Sequence, residues 1–122
     1  MGVSMPKYLI SGTYSPGSWT RMMHIADDRI MAGKQLIESL GGSVEAVYWM
    51  VSARTAFCIA DLPDSHAASA MATVLTGTGA IQNVEMNEIL TQEQLAAVLD
   101  LAENISQGYR KPGETALEGD SS

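Results

Sequence analysis

The chain predicts an α+β domain built on one four-stranded antiparallel sheet with its helices on one face. Three observations carry that reading. Strand-like and helix-like segments follow one another as strand, helix, strand, strand, helix, strand. The second and third strands are joined by the short link Ser52-Ala53-Arg54, which forces an antiparallel hairpin. The run from Glu38 to Asp64 holds a helix stop, both of those strands and a helix start in one line of sequence. With 122 residues the chain fits one domain with one core.

The first strand is read at Lys7–Tyr14, where Tyr8, Ile10 and Gly12 alternate with Leu9, Ser11 and Thr13. Ser15-Pro16-Gly17 turns the chain, with Ser15 suited to cap a short helix and Pro16 to fill its first position. Trp19 to Ile25 fits neither period. After Asp27, the stripe Ile30, Gly33, Ile37 and Leu40 marks a helix that stops at Gly41. The hairpin strands are expected at Val44–Val51 and Thr55–Asp61. Pro63 and Asp64 open the next helix, with Ala67, Ala70, Met71, Val74 and Leu75 expected on its buried face, and Thr76-Gly-Thr-Gly79 ends it. A fourth strand alternates from Ala80 to Leu90. Thr91-Gln-Glu-Gln94 matches a capping box and launches a last helix, with Leu95, Val98, Leu99, Ala102 and Ile105 expected inward.

That order is the ferredoxin-like βαββαβ plan with an added C-terminal helix. Two right-handed crossovers put both main helices on one face of the sheet. The other face is left open, and two such sheets meeting face to face would make a dimeric α/β barrel enclosing a cavity. Residues 1–106 are expected to form the single domain and residues 107–122, rich in Gly, Pro and charge, a flexible tail.

Composition supports self-association. Hydrophobic residues make up 46% and charged residues 17%, an apolar and charge-poor balance for a small monomer. Seven basic against fourteen acidic residues give a formal charge of −7 with no basic run, which argues against nucleic acid and anionic membrane as partners. The single cysteine, Cys58, excludes an internal disulfide and reads as a small strand hydrophobe. The N-terminus lacks a signal-peptide pattern, and no apolar run approaches the ~20 residues that span a bilayer. The expected address is the cytoplasm, and no cofactor is called for.

Several local motifs then coincide: Lys7-Tyr-Leu-Ile-Ser-Gly-Thr-Tyr14, Ile37-Glu-Ser-Leu-Gly-Gly42, Glu45-Ala-Val-Tyr-Trp49, Asp61-Leu-Pro-Asp64 and Ile89-Leu-Thr-Gln-Glu93. Over residues 6 to 113 the chain resembles the GYD domain family of small bacterial and archaeal proteins. The resemblance implies kinship with the dimeric α/β barrels, a set that includes small monooxygenases and isomerases, and leaves function open. One departure stands out. Where the family carries its namesake Gly-Tyr-Asp-like segment at the hairpin, this chain has Ser52-Ala53-Arg54-Thr55, which exchanges an acid for Arg54.

Candidate chemistry rests on few residues. His24 is the first candidate for a general acid or base, since imidazole titrates near neutral pH. It competes with a plain structural histidine, and His66 is weaker still; the pair lacks the further ligands of a metal site. Glu85 is the second candidate, sharing a strand face with Asn87, so that a buried face would set a carboxylate beside an amide. Arg21 and Arg54 are candidate clamps for an anionic group, against the alternative of surface ion pairs. Tyr14, Trp19 and Trp49 are candidate pocket walls, with Trp49 and Tyr48 necessarily on opposite faces. Thr76-Gly-Thr-Gly79 follows a helix and does not fit a phosphate loop.

The expected protein is therefore homo-oligomeric, with an interface pocket for a small, partly apolar or anionic organic molecule. Cofactor-independent acid–base chemistry of an isomerase, lyase or oxygenase type fits that equipment. A non-catalytic metabolite-binding or protein-interaction module, or a structural assembly protein, fits it as well.

Overall fold

The computed structural model describes residues 5–23 and 26–113. The chain divides into two compact units, Met1–Ile89 and Leu90–Ser122. In the first unit the elements are β1 (Lys7–Tyr14), α1 (Pro16–Met22), α2 (Ala26–Ser39), β2 (Ser43–Met50), β3 (Thr55–Asp61), α3 (Ser65–Gly77) and β4 (Ile81–Ile89). The sheet order is β2-β3-β1-β4, and every neighbouring pair is antiparallel. β1 thus lies between β3 and β4, which requires the two crossovers expected from the element order.

Local chemistry sets most boundaries. The Ser15 side chain accepts from Ser18 N–H and caps α1, with Pro16 in the first turn. This places a helix in the ambiguous stretch from Trp19. Gly41 ends α2 at φ +88°; its N–H donates to Glu38 C=O, while Gly42 N–H donates to Ile37 C=O. These are the paired bonds of a Schellman stop. Gly42 has a tertiary reason as well, because a Cβ there would lie 2.1 Å from Asp61 O and 3.0 Å from Leu62 Cδ2. Asp64 caps α3 by accepting from Ala67 N–H at 2.9 Å. β2 begins and ends one residue earlier than expected: Val51–Ala53 form a 3-10 turn and Arg54 closes it in the left-handed region.

The core sits between the sheet and the pair α2 and α3. Tyr8 and Ile10 of β1 and Ala60 of β3 meet Ile37 of α2 and Ala68 and Met71 of α3, with Leu62 beside them. Ile37 and Leu62 are almost wholly buried. Both main helices therefore cover one sheet face, as the ferredoxin-like plan requires. The face of α3 differs from expectation by about one position: Ala68 and Met71 point in, with Ala67 and Leu75 partly covered, while Ala70 and Val74 are exposed. Ala68 falls three residues before Met71, so the stripe is centred on that pair and leaves Val74 at its edge.

The second unit contains α4 (Gln92–Ser106), opened by the reciprocal Thr91–Gln94 capping box. The apolar stripe Leu95, Val98, Leu99, Ala102 and Ile105, expected inward, is exposed throughout. Among the described residues of its unit, α4 has no second helix or strand against which to bury such a stripe. Among the described residues, no helix is long and apolar enough to cross a membrane.

Candidate functional site

Pairing register determines which side chains share the helix-covered face. In one row across the sheet stand Trp49, Ala56, Gly12 and Val84; in the next stand Val47, Cys58, Ile10 and Met86. Ala56 and Gly12 are too small to fill their share of the space beside Trp49. Over them passes Gly33 of α2, where an added Cβ would meet nothing within 4 Å. Three small residues on three elements thus leave a cleft of about 100 Å³ between α2 and the sheet. Its apolar lining includes Ile10, Val44, Met71, Leu75 and Ile81. The cleft is narrow at Gly12, where a Cβ would come within 3.1 Å of Ile81 Cγ2.

An aromatic group closes one end. Tyr14 stacks on Trp49 with ring centroids 6.1 Å apart, and Trp19 of α1 lies 6.4 Å from Tyr14 and 6.0 Å from Trp49. These spacings are those of mutually packed rings. Trp49 also borders an outer groove with Trp19, Met22, Met23 and Val51. It forms the wall between the inner cleft and that groove.

Burial governs the ionisable groups inside. The Cys58 thiol is pushed up to about 11, so it stays protonated and poorly nucleophilic at neutral pH. Burial likewise raises the Tyr14 phenol, opposed by the positive charge of Arg29. Arg29 and Lys34, both on α2, border the cleft with exposed side chains.

The expected site residues do not gather in one place. Tyr14, Trp19 and Trp49 come together at the cleft. Glu85 and Asn87 pair with Ser11 and Leu9 and lie on the opposite, open face, exposed, with Asn83 Nδ2 donating to Glu85 Oε2 at 3.3 Å. Arg54 is engaged with the main chain: its C=O accepts from Tyr14 N–H at 2.8 Å and its Nε donates to Tyr14 C=O at 3.1 Å. At φ 51° it occupies a conformation unusual for a side-chain-bearing residue. At the hairpin, Arg54 therefore works as a clasp on the end of β1. Arg21 is exposed on α1 and donates from Nη2 to Ser18 Oγ at 3.1 Å. His66 is exposed in the first turn of α3. His24 lies outside the described residues. Among the described residues, no group of three or more His, Cys, Asp or Glu side chains could hold a metal ion.

The open face has its own interactions. Tyr48 stacks on Phe57 at 5.5 Å, Thr13 and Thr55 share a hydroxyl hydrogen bond of 2.8 Å, and Lys7 pairs with Glu45 and Asp61. Those two carboxylates raise the Lys7 pKa.

Sequence reasoning missed Arg29, Gly33 in its cleft-forming role, and Lys34. A signal was present: Arg29 and Gly33, and Ile30 and Lys34, are four apart, so both cations flank the apolar stripe of α2. What the pattern lacked was the knowledge that small residues on β1 and β3 lie beneath that stripe.

A sheet in the order β2-β3-β1-β4 with α2 and α3 on one face defines a ferredoxin-like α+β domain, here with an apolar cleft under α2. The model of the GYD domain matches residues 8–99, and the chain belongs to that family. Among curated proteins and solved structures, none matches the chain.

Proposed function

We propose that this GYD-family protein binds a small, partly apolar organic molecule in the cleft under α2 and associates with itself through the open sheet face. The cleft left by Gly12, Gly33 and Ala56 and walled by Tyr14 and Trp49 is the observation that carries the reading. A concave apolar site with few polar groups is the ordinary form of a small-molecule site. Relative to the interface pocket expected from sequence, this site moves to the helix side of the sheet, where one chain supplies all of it. Self-association is supported by the open face, where Tyr48 and Met50 are about half exposed beside Leu9, Phe57 and Ile59. A cytoplasmic setting is part of the same reading.

The cleft's chemistry favours binding over turnover. Its thiol is held protonated, and its charged neighbours among the described residues are the basic side chains Arg29 and Lys34, with no carboxylate or imidazole beside them. A second reading, cofactor-independent acid–base catalysis, rests on Glu85 with Asn83 and Asn87 on the open face, where a second copy would bury the carboxylate.

Thermal stability across a metabolite panel tests the first reading. A ligand at 100 times its dissociation constant adds roughly 2.7 kcal/mol, and Trp49→Ala should abolish that gain. A panel with no stabilising compound overturns the binding reading and leaves assembly as the function. Turnover that is lost in Glu85→Gln establishes the second reading. Sedimentation tests self-association, which a stable 13.0 kDa monomer at micromolar concentration would exclude.

A further inference from the structure

The chain carries twice as many acidic as basic residues, fourteen against seven. The charged residues among those described at the cleft are nevertheless Arg29 and Lys34, both cations, both on α2. The two ion pairs in which both partners are described belong to Lys7, on the other face of the sheet. Neither cation at the cleft is neutralised by one. Arg29 acts on the cleft electrostatically, since its charge opposes the effect of burial at the Tyr14 phenol.

The interior and the rim ask for different chemistry. Inside, Ile10, Met71, Leu75 and Ile81 offer nothing to a charge, and an ion placed among them would lose its hydration without compensation. At the rim, a guanidinium fork and an ammonium remain in water and can accept an anion without being dehydrated first. A molecule that satisfies both is amphipathic, with a compact apolar end and one negative head. The cleft's size limits the apolar end: about 100 Å³ is smaller than the roughly 150 Å³ cavity that holds benzene.

We propose that the cleft takes a small monocarboxylic acid, its apolar end inward and its carboxylate at the rim, held by Arg29 and Lys34. This deepens the binding reading above and rests on it. The two cations select the head group, while Trp49 and the small residues Gly12, Gly33 and Ala56 set the size of the body.

Matched pairs of ligands test the proposal. Straight, branched and aromatic monocarboxylates of four to about eight carbons, each with its own amide, are titrated into the full chain while the indole N–H signals of its two tryptophans, Trp19 and Trp49, are followed by NMR. The expected result is a shift at Trp49 and binding of the best acid about tenfold or more tighter than its amide, the size of a charge-assisted hydrogen bond. Added salt should erode that preference. In Arg29→Gln/Lys34→Gln, whose side chains are exposed and whose fold should persist, acid and amide should bind alike. If amides bind as tightly as acids in the wild type, or the double variant keeps the preference, the carboxylate proposal is overturned while the cleft stands. If no member of any pair moves Trp49, the cleft reading falls and takes the proposal with it.

Discussion

The two faces of the sheet are made by the same four strands and differ in what completes them. On the covered face, Tyr8, Ile10 and Ala60 are buried by α2 and α3. On the open face, Tyr48 and Met50 remain 55% and 46% exposed. The covered face also holds the cleft, so a binding site there is finished within one chain. The open face carries the only carboxylate among the candidate site residues, Glu85, and would need a second copy to bury it. An aromatic residue therefore means different things on the two sides. Trp49 packs with Tyr14 and Trp19 as a wall, while its neighbour Tyr48 stacks on Phe57 at the surface.

The sharpest break of this comparison is Ile37→Ala on the covered side. It empties a site 2% exposed beneath α2 and should cost about 3–4 kcal/mol in urea unfolding. A loss below about 1 kcal/mol would show that α2 is not what seals that face. Gly42→Ala follows, since its Cβ meets the Asp61 carbonyl at 2.1 Å; backbone must move, at roughly 2–3 kcal/mol. Gly33→Ala has the opposite sign. With open space at its Cβ and a helical position, it should stabilise by about 1 kcal/mol while weakening binding in the cleft, measured by the same thermal shifts. A variant both more stable and equally able to bind would remove Gly33 from the site.

Tyr48→Ala on the open face should change the stability of an isolated chain by less than about 1 kcal/mol. Its larger effect should appear in sedimentation, as a weaker dimer. Smallest is the pH dependence. An acid whose folded pKa is raised ionises first in the unfolded chain. Cys58, with an ordinary value of 9.0 raised to about 11, adds stability in full below pH 9.0, lost as pH rises toward about 11. Tyr8 and Tyr14, also raised by burial, extend that loss upward from their ordinary 10.0. Between pH 8 and pH 10.5 the urea midpoint of wild type should fall further than that of Cys58→Val, which lacks the titrating thiol.

Much of the scaffold was legible because its signals are local. Ser15 and Thr91 have the sequence context of caps, and each accepts the backbone N–H of the residue three positions on. Alternation along β1 separated Tyr8 and Ile10 from Leu9 and Ser11 correctly, and the same rule put Tyr48 and Trp49 on opposite faces. The site was legible only in part. Tyr14, Trp19 and Trp49 were named from residue type, yet Glu85 and Asn87 were grouped with them although register sets them across the sheet. Arg54 was singled out for its charge, and what matters at that position is a left-handed backbone and two bonds to Tyr14.

By itself the sequence determined the element order, the capped helix starts, the Gly41 stop and the membership of each strand residue in one of two alternating sets. These follow from interactions within a few residues or from the fixed two-residue period of a strand. Tertiary structure alone decided that Gly12, Ala56 and Gly33 fall over one another, leaving a cleft with Arg29 and Lys34 at its rim. That outcome depends on the pairing of β1 with β3 and on the passage of α2 above them. A gap is a property of residues far apart in the chain, and no single segment records it.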